Sequence, residues 1–142
     1  MEVVRMLKTI TLHGKKLVGG KAKGEALVCP EPIAFYGGID PDTGVGVEPN
    51  HALEGICVTD KILVYPTGKG STANCNYLYD MSFKKTAPAA LIMVEPDPIQ
   101  IVGSIMGKIP VISSKENPVE TISTGDFVEV DSDNGTITVT KK

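Results

Sequence analysis

The sequence predicts an α/β domain with a mixed or barrel-like two-layer sheet, short helices and a C-terminal β-hairpin. Three observations carry that expectation. Val and Ile, 15 and 13 in number, far exceed the 8 Leu, and β-branched side chains suit a pleated surface better than a helix. The segment Ala89–Val94 (AALIMV) is a nearly unbroken apolar run, typical of a parallel strand covered on both faces. Phe127–Asp131 and Thr136–Val139 alternate on either side of Asp133-Asn134-Gly135, which is a hairpin signature.

Taken in order, Met6–Leu12 alternates well enough for a first strand, with a slip at Leu7. Gly14, Gly19, Gly20 and Gly24 then break the chain until Glu25–Cys29 restores a strand, closed by Pro30 and Pro32. Ile33–Tyr36 reads as a short extension. Gly37–Asn50 is dominated by Gly, Pro, Asp and Asn, so a long loop is expected there. Loops of more than ~12 residues are uncommon in compact domains and often functional, which makes this one a candidate site wall. Ile56–Val58 and Ile62–Tyr65 read as buried strands, the second ended by Pro66. In STANCNYLYDMSFKK, apolar residues recur every three to four positions. That spacing predicts a short helix with Ser71 or Thr72 as its N-cap. Ile99–Met106, after Pro96 and Pro98, is a second helix, and Pro110–Ser113 a further short buried strand.

Composition then narrows the function. A single domain over residues 1–142 is expected, and a chain of this size buries roughly 68–70% of its unfolded surface without needing staples. The net charge of −3 and the lack of a long basic run argue against nucleic acid, because a phosphate backbone demands clustered Lys and Arg. With no Trp and 5% aromatics, base- or sugar-stacking platforms are not expected. The 3 cysteines, Cys29, Cys57 and Cys75, are widely spaced, so neither a disulfide framework nor a cysteine metal site within the chain is expected. No stretch approaches the ~20 apolar residues of a membrane span, and the first residues lack a leader pattern, so a cytoplasmic protein is expected.

The most distinctive local pattern is Tyr65-Pro66-Thr67-Gly68-Lys69-Gly70-Ser71-Thr72. A strand stops, a glycine-rich turn follows, and a helix opens with hydroxyls. Unpaired amides at a helix start attract anions, and a nearby lysine adds charge. The pattern is not a Walker A loop, since Gly70 separates Lys69 from Ser71. On these residues alone, a tight turn with a capping serine fits as well as an anion site. Asp40, Asp42 and His51 are too scattered for a metal signature, and His51 is equally suited to bonding a backbone group. His13 is expected on the surface, and Cys75 is expected to be a small core residue rather than a nucleophile. Lys15, Lys16, Lys21 and Lys23 form a basic patch. No Ser-His-Asp set and no paired carboxylates are evident, so a catalytic Ser71 would need help from outside the chain.

The order of these motifs resembles the small subunit of the aconitase X family. The resemblance rests on Gly24–Val28, on Pro32-Ile33-Ala34-Phe35-Tyr36-Gly37-Gly38-Ile39-Asp40-Pro41 with Thr43-Gly44, on His51, Leu53 and Gly55, and on Lys61–Pro66 with Gly68-Lys69-Gly70-Ser71. It continues through Ala87–Ile92, Gly103–Ile105 and Ile109–Val111, over nearly the whole chain. It implies a swivelling β/β/α domain that closes over a larger subunit in a heterodimer. It also implies a hydro-lyase, in the archaeal branch one that dehydrates (R)-5-phosphomevalonate, a phosphorylated hydroxy acid, to trans-anhydromevalonate 5-phosphate. Ser71 falls on the family's catalytic proton acceptor. Gly68, Lys69, Gly70, Thr72, Gly38, Asp40 and His51 become the expected substrate-binding residues. The implied cofactor is an iron–sulfur cluster of the four-iron kind, carried by the large subunit and acting as a Lewis acid, with no metal held by this chain. Lys69 stands where arginine is commoner, Ala52 where proline follows the histidine, and Thr72–Cys75 replaces a more serine-rich stretch. A hydroxyproline dehydratase subunit and a non-catalytic swivel or phosphohistidine carrier module are the alternatives.

Overall fold

The computed structural model describes residues 8–142. Its elements are β1 (Thr9–His13), β2 (Lys15–Val18), β3 (Lys21–Val28), β4 (Ile62–Tyr65), α1 (Asn74–Lys84), β5 (Ala90–Met93), α2 (Pro98–Gly107), β6 (Val111–Ser113), α3 (Pro118–Thr121), β7 (Phe127–Asp131) and β8 (Thr136–Thr140). Met6 and Leu7, part of the expected first strand, lie outside the described residues.

The strands form one ladder in the order β1-β8-β7-β3-β4-β5-β6-β2. Its two edge strands, β1 and β2, are consecutive in the chain and joined at Gly14, so the sheet returns on itself. Gly14 is required at that corner, because a Cβ there would stand 2.2 Å from the carbonyl oxygen of Ser113. Strand β3 serves both halves of the ladder. Its first part, Lys21–Glu25, pairs antiparallel with β7, and its second, Ala26–Val28, pairs parallel with β4. The parallel half continues through β5 and β6. In the terminal hairpin Val128 lies opposite Val139 and Val130 opposite Ile137, as their alternation demands.

Three layers follow from which faces are apolar. Ile62 and Val64 of β4, Ala90 and Ile92 of β5 and Ile112 of β6 meet Val128, Val130, Ile137 and Val139 between the two halves of the sheet. The alternate residues Leu63, Tyr65, Leu91, Met93 and Val111 point the other way, toward Leu78 and Met81 of α1. Strands β4, β5 and β6 are thus buried on both sides, which is why AALIMV carries no polar alternation. The arrangement is β/β/α, in agreement with the expected class. Helices α1 and α2 press together at Gly103, where a Cβ would sit 2.7 Å from the Cα of Cys75.

Several expected elements differ from those observed. The glycine-rich stretch after His13 is not a broken connection: it forms β2 and the first half of β3. Glycine weakens a strand but does not prevent pairing, and the partner carbonyls of β6 and β7 supply the missing incentive. Ile56–Val58 is not a buried strand. Cys57 makes an isolated bridge to Val45, Ile56 is exposed, and only Val58 enters the core. Ile33 makes a single bridge, to Gly68, before the chain turns at Phe35. Ala73, not Ser71 or Thr72, is the N-cap of α1, with no side-chain cap bond. Cys75 is half-buried rather than in the core. His13 is exposed, as expected, and pairs with Glu116 at 3.3 Å.

The C-terminal end of the chain is pinned by a buried ion pair. Asp126, 2% exposed, accepts from Lys141 Nζ at 2.6 Å and from the amides of Ser123 and Lys142. Burial pushes its carboxyl up, but the Lys141 bond and the two amides outweigh that and hold it below 3.8. Because its value is depressed in the folded state, Asp126 contributes stability above the unfolded carboxyl value. That contribution is lost as pH falls through the depressed value. The melting temperatures of the wild type and Asp126→Asn are therefore expected to differ most near neutrality and to converge in acid. A gap unchanged down to strong acid would refute the ion pair as its source.

Candidate active-site loop

Residues 66–73 connect the C-terminal end of β4 to the start of α1. Open parallel sheets place their ligand sites at the carboxyl ends of their strands, where the crossover loops gather. The loop is held to the rest of the fold by main-chain bonds. The Ile33 amide donates to Thr67 O at 3.1 Å, and the Lys69 amide donates to Ile33 O at 3.0 Å. Gly70 takes the left-handed region at φ +97°, which turns the chain so that Ser71 follows directly before the helix.

Ser71 is half-buried. Its Oγ accepts a bond from the Ala73 amide at 3.0 Å, and its carbonyl accepts from the Asn74 amide at 3.1 Å. A donor on Oγ favours negative charge there, and the first turn of α1 adds its dipole. The stabilising amide is thus that of Ala73, where the Gly70–Thr72 amides would be the first expectation. Lys69 and Thr72 are exposed. The Lys69 ammonium pairs with Glu48 at 2.9 Å, so the long loop does reach the motif, through a residue that sequence patterns do not mark.

The other expected residues have structural partners. Asp40 accepts from the Asp42 amide at 2.9 Å and closes a turn with Thr43 and Gly44. Gly38 is needed for packing, since a Cβ there would lie 1.9 Å from Ala34 O. The ring of His51 is committed to the backbone on both sides: Nε2 stands 2.8 Å from Pro32 O, and Nδ1 accepts from the Leu53 amide at 3.1 Å. Those partners assign the neutral tautomer with its proton on Nε2. Gly68, Lys69, Gly70, Ser71 and Thr72 are therefore together on one loop. Gly38, Asp40 and His51 shape the loop beside it and spend their polar groups on the main chain.

Sequence reasoning misses the buried support beneath this loop. Gln100 and Tyr65 are fully buried. Tyr65 Oη donates to Gln100 Oε1 at 2.7 Å, and Gln100 Nε2 donates to Ile33 O at 2.8 Å. Burial, with Asp97 nearby, pushes the Tyr65 phenol well above its ordinary value, so it stays a donor. Asn74, 1% exposed, donates from Nδ2 to Lys69 O at 3.0 Å and accepts the Tyr36 amide on Oδ1 at 2.8 Å. The available signal was a lone glutamine in the apolar run PIQIVGSIM. Gly68 is glycine for the same reason: a Cβ would stand 2.5 Å from Gln100 Nε2 and 2.8 Å from Asp97 Cγ. Gly68→Ala is expected to displace the loop and to lower turnover more than it lowers the melting temperature. Full activity in that variant would show that the loop tolerates the shift.

The Cys29 thiol is raised by burial and donates to Glu31 O, Cys57 is exposed and Cys75 half-buried. Among the described residues no group of three or more His, Cys, Asp and Glu side chains could hold a metal ion. The residues present do not fit an iron–sulfur cluster.

Together, the three-layer fold and the loop between β4 and α1 define a swivel domain, and the chain belongs to the aconitase X swivel-domain family, whose model matches residues 11–139. It is similar to the phosphomevalonate dehydratase small subunit of Methanocella arvoryzae, 44% identical over 127 residues, which are 89% of this chain and 96% of that one. The protein of the same name from Thermococcus kodakarensis is 38% identical over 90% of this chain and 95% of its own length. The crystal structure of Thermococcus kodakaraensis aconitase X in its holo form superposes with a TM-score of 0.88 at 36% identity, covering 93% of this chain and 99% of that chain.

Proposed function

We propose that this chain is the small subunit of a phosphomevalonate dehydratase, a hydro-lyase that removes water from (R)-5-phosphomevalonate to give trans-anhydromevalonate 5-phosphate. The observation that carries this reading is the near full-length match to small subunits of that name. In it the chain works with a larger subunit in the cytoplasm. Among the described residues no helix is long and apolar enough to cross a membrane, which is compatible with that setting.

The chain's own chemistry is a proton transfer. Ser71, as its alkoxide, accepts the proton from the substrate carbon next to the departing hydroxyl; the C–H electron pair becomes the C=C bond and hydroxide leaves with the electrons of the C–O bond. The Ala73 amide and the α1 terminus favour the charged form of Oγ that this requires. Lys69, once released from Glu48, supplies a cation for a carboxylate or phosphate of the substrate. In this reading the iron–sulfur cluster is carried by the larger subunit; among the described residues of this chain no ligand set for one comes together. Closure of this domain over the larger subunit would exclude water and bring Ser71 to the substrate. In a phosphohistidine carrier Asn50-His51-Ala52 would have to supply the reactive histidine, whereas the His51 ring nitrogens both face backbone groups.

The test is co-expression with a candidate large subunit from the same genome, followed by mass spectrometry of (R)-5-phosphomevalonate for loss of one water. Dehydration by the complex and none by either chain alone is expected. A complex that dehydrates hydroxyproline but not the phosphorylated acid would move the assignment to the other dehydratase.

A further inference from the structure

The Lys69 peptide, two residues before Ser71, is gripped at both ends. Its amide donates to Ile33 O at 3.0 Å, the same oxygen that Gln100 Nε2 holds at 2.8 Å. Its carbonyl accepts from Asn74 Nδ2 at 3.0 Å. The same Asn74 bonds Ser71 O through its main-chain amide and Tyr36 through Oδ1. Both carboxamides are almost wholly buried, Gln100 at 0% and Asn74 at 1% exposure, and both sit on helices that pack directly against each other.

We infer that Asn74, bonded to the Lys69 carbonyl, and Gln100, which fixes the Ile33 carbonyl that the Lys69 amide bonds, are positioning residues that together clamp the loop and aim Ser71. This rests on the reading of Ser71 as proton acceptor. A buried carboxamide must find partners wherever it lies: Asn74 bonds Lys69 O and the Tyr36 amide, while Gln100 bonds Tyr65 Oη and Ile33 O, the oxygen that also accepts the Lys69 amide. Asn74 directly and Gln100 through Ile33, they hold the loop from different helices and leave Gly70 as the free joint before Ser71. With Lys69 fixed on both sides, the φ of +97° at Gly70 turns from a permitted conformation into an imposed one. Closed polar networks specify one geometry where an apolar contact would allow several. A proton acceptor displaced by about 1 Å costs on the order of 100-fold in rate.

The test uses Asn74→Ala and Gln100→Met in the complex with the larger subunit. Asn74→Asp is the second variant at that position, since it keeps the acceptor for the Tyr36 amide but cannot donate to Lys69 O when ionised. Each variant is expected to fold and to join the larger subunit. KM should stay within about twofold and kcat should fall about 10- to 100-fold, the pattern of an interaction realised in the transition state. Pairing Asn74→Ala with Gln100→Met should cost less than the product of the single losses, because both loosen the Lys69 peptide, Asn74 directly and Gln100 through Ile33. A kcat within about twofold of wild type in folded complexes, or a loss confined to assembly or KM, would overturn the clamp. Should Asn74→Ala fail to fold, Asn74→Asp and Gln100→Met decide by the same criteria. Undiminished turnover by Ser71→Ala would instead overturn the reading beneath it, whatever the clamp variants do.

Discussion

Ser71→Ala is expected to give a folded subunit that joins its larger partner and supports almost no dehydration. The structural cost is small. Ser71 Oγ has a bond to the Ala73 amide at 3.0 Å, and losing one such bond near a helix start costs about 1 kcal/mol. The chemical cost is large, since removing a positioned proton-transfer group lowers rates on the order of 10²- to 10⁴-fold. No neighbouring side chain on the loop takes over: Thr72 is exposed, and Lys69 is paired with Glu48. The measurement is kcat and KM of the reconstituted complex, with assembly followed by size-exclusion chromatography. Turnover near that of the wild type would remove Ser71 from the mechanism.

Ile92→Ala should have the largest effect on stability. Ile92 is fully buried in β5, an interior strand of the parallel half, and its side chain lies between the two halves of the sheet among Val64, Ile112 and Val139. Neighbours on both flanks are tied into ladders, so the gap cannot close by backbone movement. A cost of about 2–5 kcal/mol follows, a large part of the roughly 5–15 kcal/mol that holds a domain of this size together. Urea unfolding monitored by circular dichroism would measure it as a lowered midpoint at constant slope. A loss below about 1 kcal/mol would mean that the two sheet halves repack over the cavity.

Much of the fold was legible because its signals are local. The Val128/Val130 and Ile137/Val139 alternation sits around an Asn-Gly turn, and the register 128↔139 and 130↔137 follows from it. AALIMV is apolar throughout because layers cover both its faces, and Asp97-Pro98 opens α2 with a cap and a helix-compatible φ. What escaped was decided at a distance. Lys15–Val18 reads as a glycine-flanked surface run, yet β6 gives it hydrogen-bond partners almost a hundred residues later. Ile56–Val58 reads as a strand, yet no partner strand lies alongside. Asn74 passes for a minor irregularity in a helix until Tyr36 and Lys69 are placed around it.

The candidate site divides in the same way. Gly68-Lys69-Gly70-Ser71 is a contiguous motif between a strand end and a helix start, so its existence, order and resemblance to aconitase X small subunits could be read from the residues alone. The donor to Ser71 Oγ, the pairing of Lys69 with Glu48, the commitment of His51 to Pro32 and Leu53, and the grip of Asn74 and Gln100 on the loop all came from the tertiary structure. The physical reason is that periodicity and turn chemistry are properties of neighbours in sequence. A hydrogen bond between side chains and main chain on different elements depends on distances that only the packed layers set.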